Sequence, residues 1–161
     1  MDNLQTFSCP SPIGTLTIAG SDKGIRALGL SDAKTGAATA FLPVWAQPCK
    51  QQLDEYFLGK RTTFDLDLDW SDTSEFYQKV WLELLQIPYG KTTTYGALAK
   101  KIGNPNASRA VGLANGRNPI AVIVPCHRVI GSNGNLTGYA HGLDIKKQLL
   151  ALENPTLLTL F

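Results

Sequence analysis

The run IAVIV, residues 120–124, constrains this chain more than any other stretch: five aliphatic residues in a row must enter a core. Its length and β-branching predict a buried strand, which Pro125 then stops. Directly behind the stop stand Cys126, His127 and Arg128. Burial therefore brings a thiol, an imidazole and a guanidinium to the end of an apolar element. Such a cysteine is either a small buried hydrophobe or a nucleophile with its base beside it.

A free thiol ionises at about pH 8.5, so a nucleophilic Cys126 needs a base at neutral pH. His127 adjoins it, although adjacent residues need not face each other. The base in turn needs an orienting partner, usually a carboxylate. No Asp or Glu occurs between residues 84 and 143, which leaves Asp144 and Glu153 nearby in the chain. Glu153 is the better candidate, because Asp144 suits the N-terminal turn of a final helix carrying Ile145, Leu149 and Leu152.

The acid-free stretch holds Lys91, Lys100, Lys101, Arg109, Arg117 and Arg128. Residues 1–75 carry six basic and ten acidic side chains, a net −4, whereas residues 76–161 carry nine and three, a net +6. A surface without carboxylates suits a polyanion, since each one would repel phosphate. Chance clustering is the plain alternative. Cys9, Cys49 and Cys126 are scattered, odd in number and without CxxC spacing, which reads as reduced thiols. With His127 and His141 the only histidines, no metal and no other cofactor is expected. No apolar run is long enough for a membrane span, and the N-terminus lacks the pattern of a secretory signal. A cytoplasmic protein is expected, associated with the nucleoid if the source is bacterial.

The chain reads as α+β: a small β-rich N-terminal lobe, then a mainly helical lobe with a winged-helix-like helix-turn-helix. The boundary is placed at Asp72, giving domains 1–72 and 73–161. LQTFSC, GTLTIAG and GIRALGL read as strands between turn signals, and CKQQLDEYFLGK as a helix stopped by Gly59. TTFDLDLDW alternates apolar and acidic residues, which predicts a strand with Asp65, Asp67 and Asp69 on its exposed face. In the second lobe, Asp72 with Glu75 resembles a capping box before a stripe of Tyr77, Val80, Trp81, Leu84 and Leu85, ended by Pro88. A helix then carries Tyr95, Leu98, Ala99 and Ile102. The next is expected to start with Asn104 as cap and Pro105 at its first position, with Ala107, Ala110, Val111 and Ala114 on its buried stripe and Gly116 as its stop. Such a pair is a helix-turn-helix by pattern, or an ordinary helical hairpin.

Around Arg109 the second helix carries the small residues Ala107, Ser108, Ala110, Gly112 and Ala114, and Arg109 is its one long polar side chain. A major-groove reader carries several long polar side chains. Small residues allow close backbone approach and suit the minor groove, with one arginine pushed inward and little sequence preference.

PCHRVIG resembles the active-site signature of the methylated-DNA–protein-cysteine methyltransferases, or O6-alkylguanine-DNA alkyltransferases. The resemblance spans essentially all of residues 74–153; the first lobe resembles the family only in length and strand pattern. It implies a one-turnover enzyme that binds duplex DNA through its minor groove, flips out O6-alkylguanine, and keeps the alkyl group on Cys126. O4-alkylthymine is a further candidate substrate, and no obligate protein partner is implied. By the same resemblance His127 acts through water as base with Glu153 behind it, Asn118 fixes the turn, and Tyr95 rotates the target phosphate and donates a proton. Arg109 fills the gap in the stack. Ala107, Ser108, Ala110, Lys101 and Arg117 join Tyr95 against DNA. Val124, Pro125, Ser132, Tyr139, Ala140 and His141 shape the pocket.

At His141 the family commonly has a small residue; the side chain either narrows the pocket or points outward, and the outward reading is preferred. The zinc ligands of some members' first lobes have no counterpart pattern here. Two other function classes compete. A non-catalytic damage binder would lack the reactive cysteine, and a cysteine hydrolase using Cys126, His127 and a carboxylate would leave the basic helix pair unexplained.

Overall fold

The computed structural model describes residues 3–31 and 41–160. The chain divides into two compact units, Met1–Ser71 and Asp72–Phe161. The first holds an antiparallel sheet and the second most of the helices, so the fold is α+β. Among the described residues no helix is long and apolar enough to cross a membrane.

In the first unit, β1 (Gln5–Ser11), β2 (Gly14–Ser21) and β3 (Gly24–Leu30) form a meander in which Phe7 pairs with Ile18 and Ile18 with Leu28. The period-two pattern puts Phe7, Cys9, Leu16, Ile18 and Leu28 on the buried face. Helix α1 (Gln47–Phe57) buries Cys49, Leu53 and Tyr56, spaced as one helical face, and ends before Gly59 at φ +72°.

The expected strand at residues 62–70 is not one. Its ladder is a single parallel bridge, Leu68 to Ile25, with the Ile25 N–H on the Asp67 carbonyl and the Asp69 N–H on the Ile25 carbonyl, each at 2.8 Å. The Gln52 side chain instead takes both backbone groups of Asp65, at 3.0 and 2.8 Å. Asp65 and Asp67 are exposed as expected, but Asp69 is buried and accepts from the Ser71 N–H and hydroxyl. Alternation reports the exposure of Asp65 and Asp67 but neither the burial of Asp69 nor whether a neighbour offers a ladder. Gly24 allows the approach at this bridge: its φ is +145°, and a Cβ there would lie 2.7 Å from the Asp67 carbonyl oxygen.

In the second unit α2 (Glu75–Leu85) is capped by Ser74, whose hydroxyl accepts from the Tyr77 N–H at 3.4 Å, so Asp72 is not the cap. Val80, Trp81 and Leu84 are buried, while Leu85 of the expected stripe is exposed. The Trp81 indole donates to the Ala114 carbonyl at 2.8 Å, docking α2 on α4 (Ser108–Gly116). Helix α3 (Tyr95–Lys101) follows the two residues of β4 (Thr93–Thr94) and is capped by the Thr94 hydroxyl.

Helix α4 begins three residues later than the Asn-Pro signal suggests. Asn104 and Pro105 form a separate turn, closed by the Ala107 N–H on the Asn104 carbonyl at 3.0 Å, and Ala107 becomes the N-cap. Its buried face is Val111, Ala114 and Asn115; Ala110 is exposed, and Gly116 lies inside the helix. A polar Asn115 at a core position hid the true stripe.

Residues 120–124 are buried as expected but are not a strand. They coil into a turn with the Val124 N–H on the Ile120 carbonyl at 3.0 Å and Val122 at φ +70°, rare for a β-branched residue. An apolar run predicts burial and leaves conformation open. Side chains supply what a ladder would have: Asn118 Nδ2 donates to the Val124 carbonyl at 2.8 Å, and its Oδ1 accepts from the Ile120 N–H at 3.0 Å.

Candidate active site

The turn at residues 117–125 delivers the chain into one turn of 3-10 helix, Cys126–Arg128. Strand β5 (Val129–Ile130) then pairs in parallel with β4, and the chain leaves through a loop to α5 (Leu143–Glu153). Cys126, His127 and Arg128 are all buried. Arg128 is therefore not one of the surface cations that the charge pattern suggested.

Helix α5 turns a mixed stripe inward: Lys146, Leu149, Leu150 and Glu153, at i, i+3, i+4 and i+7. Asp144 sits in its first turn, as expected of a charge favourable to the helix dipole. Glu153 closes the stripe directly beneath the Cys-His turn. Its Oε1 lies 2.7 Å from His127 Nε2 and 2.8 Å from an Arg128 terminal nitrogen, while its Oε2 accepts from Arg128 Nε at 2.9 Å. Arg128 thus grips the carboxylate with two prongs, and its third nitrogen donates to the Ile87 carbonyl at 2.7 Å. Burial alone would raise the Glu153 pKa, but the hydrogen bonds and charges of His127 and Arg128 outweigh it and bring the carboxyl down to about 2.

The ionised carboxylate only accepts, so His127 Nε2 must carry the proton. Burial lowers the pKa of His127 more than Glu153 raises it, which keeps the ring neutral. Its Nδ1 is then a bare lone pair, buried and with no hydrogen-bond partner among the described residues. Burial also raises the Cys126 thiol, against the smaller opposing pull of the Asn118 hydrogen bond and the Lys146 charge. The resting pair is a protonated thiol beside a neutral base.

Cys126 opens on a cavity of about 210 Å³ whose lining includes Tyr95, Asn115, Asn118, Tyr139, Ala140 and His141. Tyr139 and His141 meet edge to face, with ring centroids 5.7 Å apart. His141 is half-buried in that wall, which corrects the outward reading. Val124 and Pro125 are buried and lie outside the lining. A second, larger groove of about 540 Å³ shares Tyr95 and Gly112 with the cavity and runs past Ser108, Arg109, Ser132 and Asn133. Lys101 ends α3 in solvent, and Arg117, just beyond α4, donates to the Tyr77 hydroxyl at 3.3 Å.

Models of two domains match the chain: the 6-O-methylguanine DNA methyltransferase DNA-binding domain over residues 75–155, and the ribonuclease-like domain of the same family over residues 7–70. The chain belongs to the O6-methylguanine DNA methyltransferase family. A methylated-DNA–protein-cysteine methyltransferase of Methanosarcina acetivorans is 51% identical over 149 residues, covering 89% of this chain and 94% of the relative. One from Mycolicibacterium paratuberculosis is 51% identical over 166 residues, covering 98% and 99%. The crystal structure of Mycobacterium tuberculosis OGT in complex with DNA matches with a TM-score of 0.81 at 45% identity, covering 97% of this chain and 98% of that one.

Three residues of this family member's site have roles that the sequence does not show. Arg128 reads both as a neighbour of the Cys-His pair and as a cation of the acid-free stretch, and its grip on Glu153 carries no sequence signal. Asn115 lay on what looked like an alanine stripe. Lys146, fully buried, donates through Nζ to the carbonyls of Val129 at 2.6 Å and Thr137 at 2.9 Å, pinning the cavity loop to β5. Burial lowers its pKa to about 8, against the opposing effect of Cys126. A lysine on an apolar stripe looks like the edge of a solvated face, and only the loop's free carbonyls explain it.

Proposed function

We propose that this chain repairs duplex DNA by moving the alkyl group of O6-alkylguanine irreversibly onto Cys126. The observation that carries the reading is the Cys126 thiol in the cavity wall, followed in the chain by an imidazole whose proton Glu153 holds on Nε2. In this reading DNA lies along α4, with Ala107, Ser108 and Ala110 allowing close approach, Lys101 and Arg117 near phosphates, and Arg109 in the gap left by the flipped base. The base must leave the stack, because its alkyl carbon is inaccessible there.

His127 Nδ1 takes the Cys126 proton through a water molecule. The thiolate attacks the alkyl carbon in line; a sulfur–carbon bond forms as the carbon–O6 bond breaks, and the electron pair leaves with guanine. Tyr95 supplies a proton as that charge develops, which makes guanine a better leaving group. Asn118 keeps the turn that aims the thiol, and Tyr139 and His141 bound the space for the alkyl group. A thioether has no easy route to hydrolysis, so each molecule acts once. The setting is the cytoplasm, where DNA is at hand and reducing conditions keep the thiol free.

Incubation with a duplex carrying one O6-methylguanine, followed by intact mass measurement, tests the reading. The protein should gain one methyl, and Cys126→Ser should gain none while still retarding DNA in a gel. Unchanged mass in the wild type contradicts it; turnover of an ester or amide would instead mark a hydrolase.

A further inference from the structure

Resting on the alkyl-transfer reading, we propose that Tyr89 and Gly90, in the turn at residues 87–90, are positioning residues for the proton transfer. The Tyr89 ring covers Arg128, the Gly90 N–H holds Glu153, and together they keep in place the pair that orients His127. The cavity lining includes neither residue, so both act through Arg128 and Glu153.

All three guanidinium nitrogens of Arg128 are spent in its plane, two on Glu153 and the third on the Ile87 carbonyl. The faces of a guanidinium make no hydrogen bonds, and an aromatic ring is the surface that suits them. Tyr89 supplies it, with Arg128 Cζ 5.8 Å from the ring centroid. The Tyr89 hydroxyl donates to the Leu152 carbonyl at 3.4 Å, which ties the ring to the last turn of α5. The Gly90 N–H donates to Glu153 Oε2 at 3.4 Å, and the Gly90 carbonyl accepts from Asn154 Nδ2 at 3.1 Å. Gly90 has φ +74°, and a Cβ there would lie 3.3 Å from the Glu153 carbonyl oxygen, so glycine lets the turn come this close. Glu153 is the final residue of its helix, where helices fray. Contacts from one turn to Leu152, Glu153 and Asn154 hold that end still.

The charges facing His127 are Glu153, which raises its pKa, and Arg128 and Lys146, which lower it; burial lowers it most. Without the Tyr89 ring, water reaches the Arg128–Glu153 pair, and Arg128 loses the surface that holds it. Both changes weaken an influence that lowers the His127 pKa, so the ring takes up a proton at higher pH. Lys146, held by the carbonyls of Val129 and Thr137, stays in place. A protonated ring has no lone pair on Nδ1 and cannot accept the Cys126 proton.

The test measures single-turnover methyl transfer from a duplex carrying O6-methylguanine against pH, for wild type, Tyr89→Leu and Tyr89→Phe. The same titration is followed by NMR on the His127 ring in protein without DNA. Tyr89→Leu should transfer methyl about ten-fold more slowly at neutral pH, by analogy with partners that orient metal-bound histidines. Its acid limb and its His127 titration should both shift to higher pH. Tyr89→Phe keeps the ring and should restore both curves. A merely structural role lowers the amount of active protein and moves neither curve; Tyr89→Met replaces Tyr89→Leu if the latter does not fold. Either curve unchanged in the ring-less variant, or both shifted equally in Tyr89→Phe, overturns the proposal. Absence of transfer to wild-type Cys126 at every pH overturns the alkyl-transfer reading instead, and the ring titration still tests the positioning.

Discussion

His127 Nε2 stands 2.7 Å from Glu153 Oε1 with both side chains fully enclosed. Twenty-six residues of chain separate them, and α5 closes the gap by ending on the glutamate. The carboxylate fixes the imidazole tautomer, and Arg128 keeps the carboxylate ionised in a place where it would otherwise take up a proton.

Glu153→Gln keeps the shape of the side chain and removes the charge that fixes the tautomer and pairs with Arg128. Transfer should slow by about a hundred-fold or more, by analogy with orienting carboxylates elsewhere. Leaving Arg128 buried without its counter-ion should cost about 3 kcal/mol, measured by urea denaturation. The acid limb of stability should flatten too. The folded Glu153 carboxyl is depressed to about 2 from its ordinary 4.5, so its stabilisation is full above 4.5 and lost as pH falls towards 2. The wild type should lose stability through that window, and the variant should lose less.

Lys146 makes the opposite kind of prediction. Its folded pKa, about 8, lies below its ordinary 10.5, so between these values the unfolded chain holds more protons. This group alone makes stability climb with pH across that window, by up to about 1.4 kcal/mol per unit. The cysteine thiols, raised by burial, pull the other way, so the quantity to measure is the difference between wild type and Lys146→Met from pH 7.5 to 10. Wild type should gain on the variant as pH rises. The variant should also transfer methyl more slowly, because the loop at Thr137 and Gly138 loses its clamp.

Much of this site was legible in the sequence. Cys126, His127 and the choice of Glu153 over Asp144 followed from adjacency and from a stretch without acids. What failed is equally physical. Residues 120–124 looked like a strand because aliphatic runs report burial, and only the Asn118 side chain reveals the turn. Lys146 and Asn115 were missed because each is a polar residue on a core stripe, whose partners are backbone carbonyls that carry no sequence signal. The Asn104-Pro105 signal places the start of α4 too early because it begins a turn as readily as a helix.

His141 shares the cavity wall with Tyr139, where its imidazole leaves less room than a glycine would. His141→Gly should speed reaction with O6-benzylguanine more than with O6-methylguanine, by roughly ten- to hundred-fold for one relieved clash of about 1–3 kcal/mol. Equal effects on both substrates would show that the side chain does not bound the alkyl group.

Arg109 lines the groove next to the cavity and is exposed on the first turn of α4. Arg109→Lys keeps the charge and loses the planar group, so repair should slow while the salt dependence of DNA binding stays nearly constant. Lys101→Ala should instead reduce the salt slope by about one unit. Equal repair rates for wild type and Arg109→Lys would remove the stacking role.

The central claim is that Cys126 accepts one alkyl group and keeps it. Protein titrated with excess duplex carrying O6-[methyl-labelled]guanine, then digested and mapped, measures this directly. The account predicts a plateau at one methyl per chain, all of it on Cys126. Transfer continuing beyond one per chain, or label on Cys9 or Cys49, would contradict it.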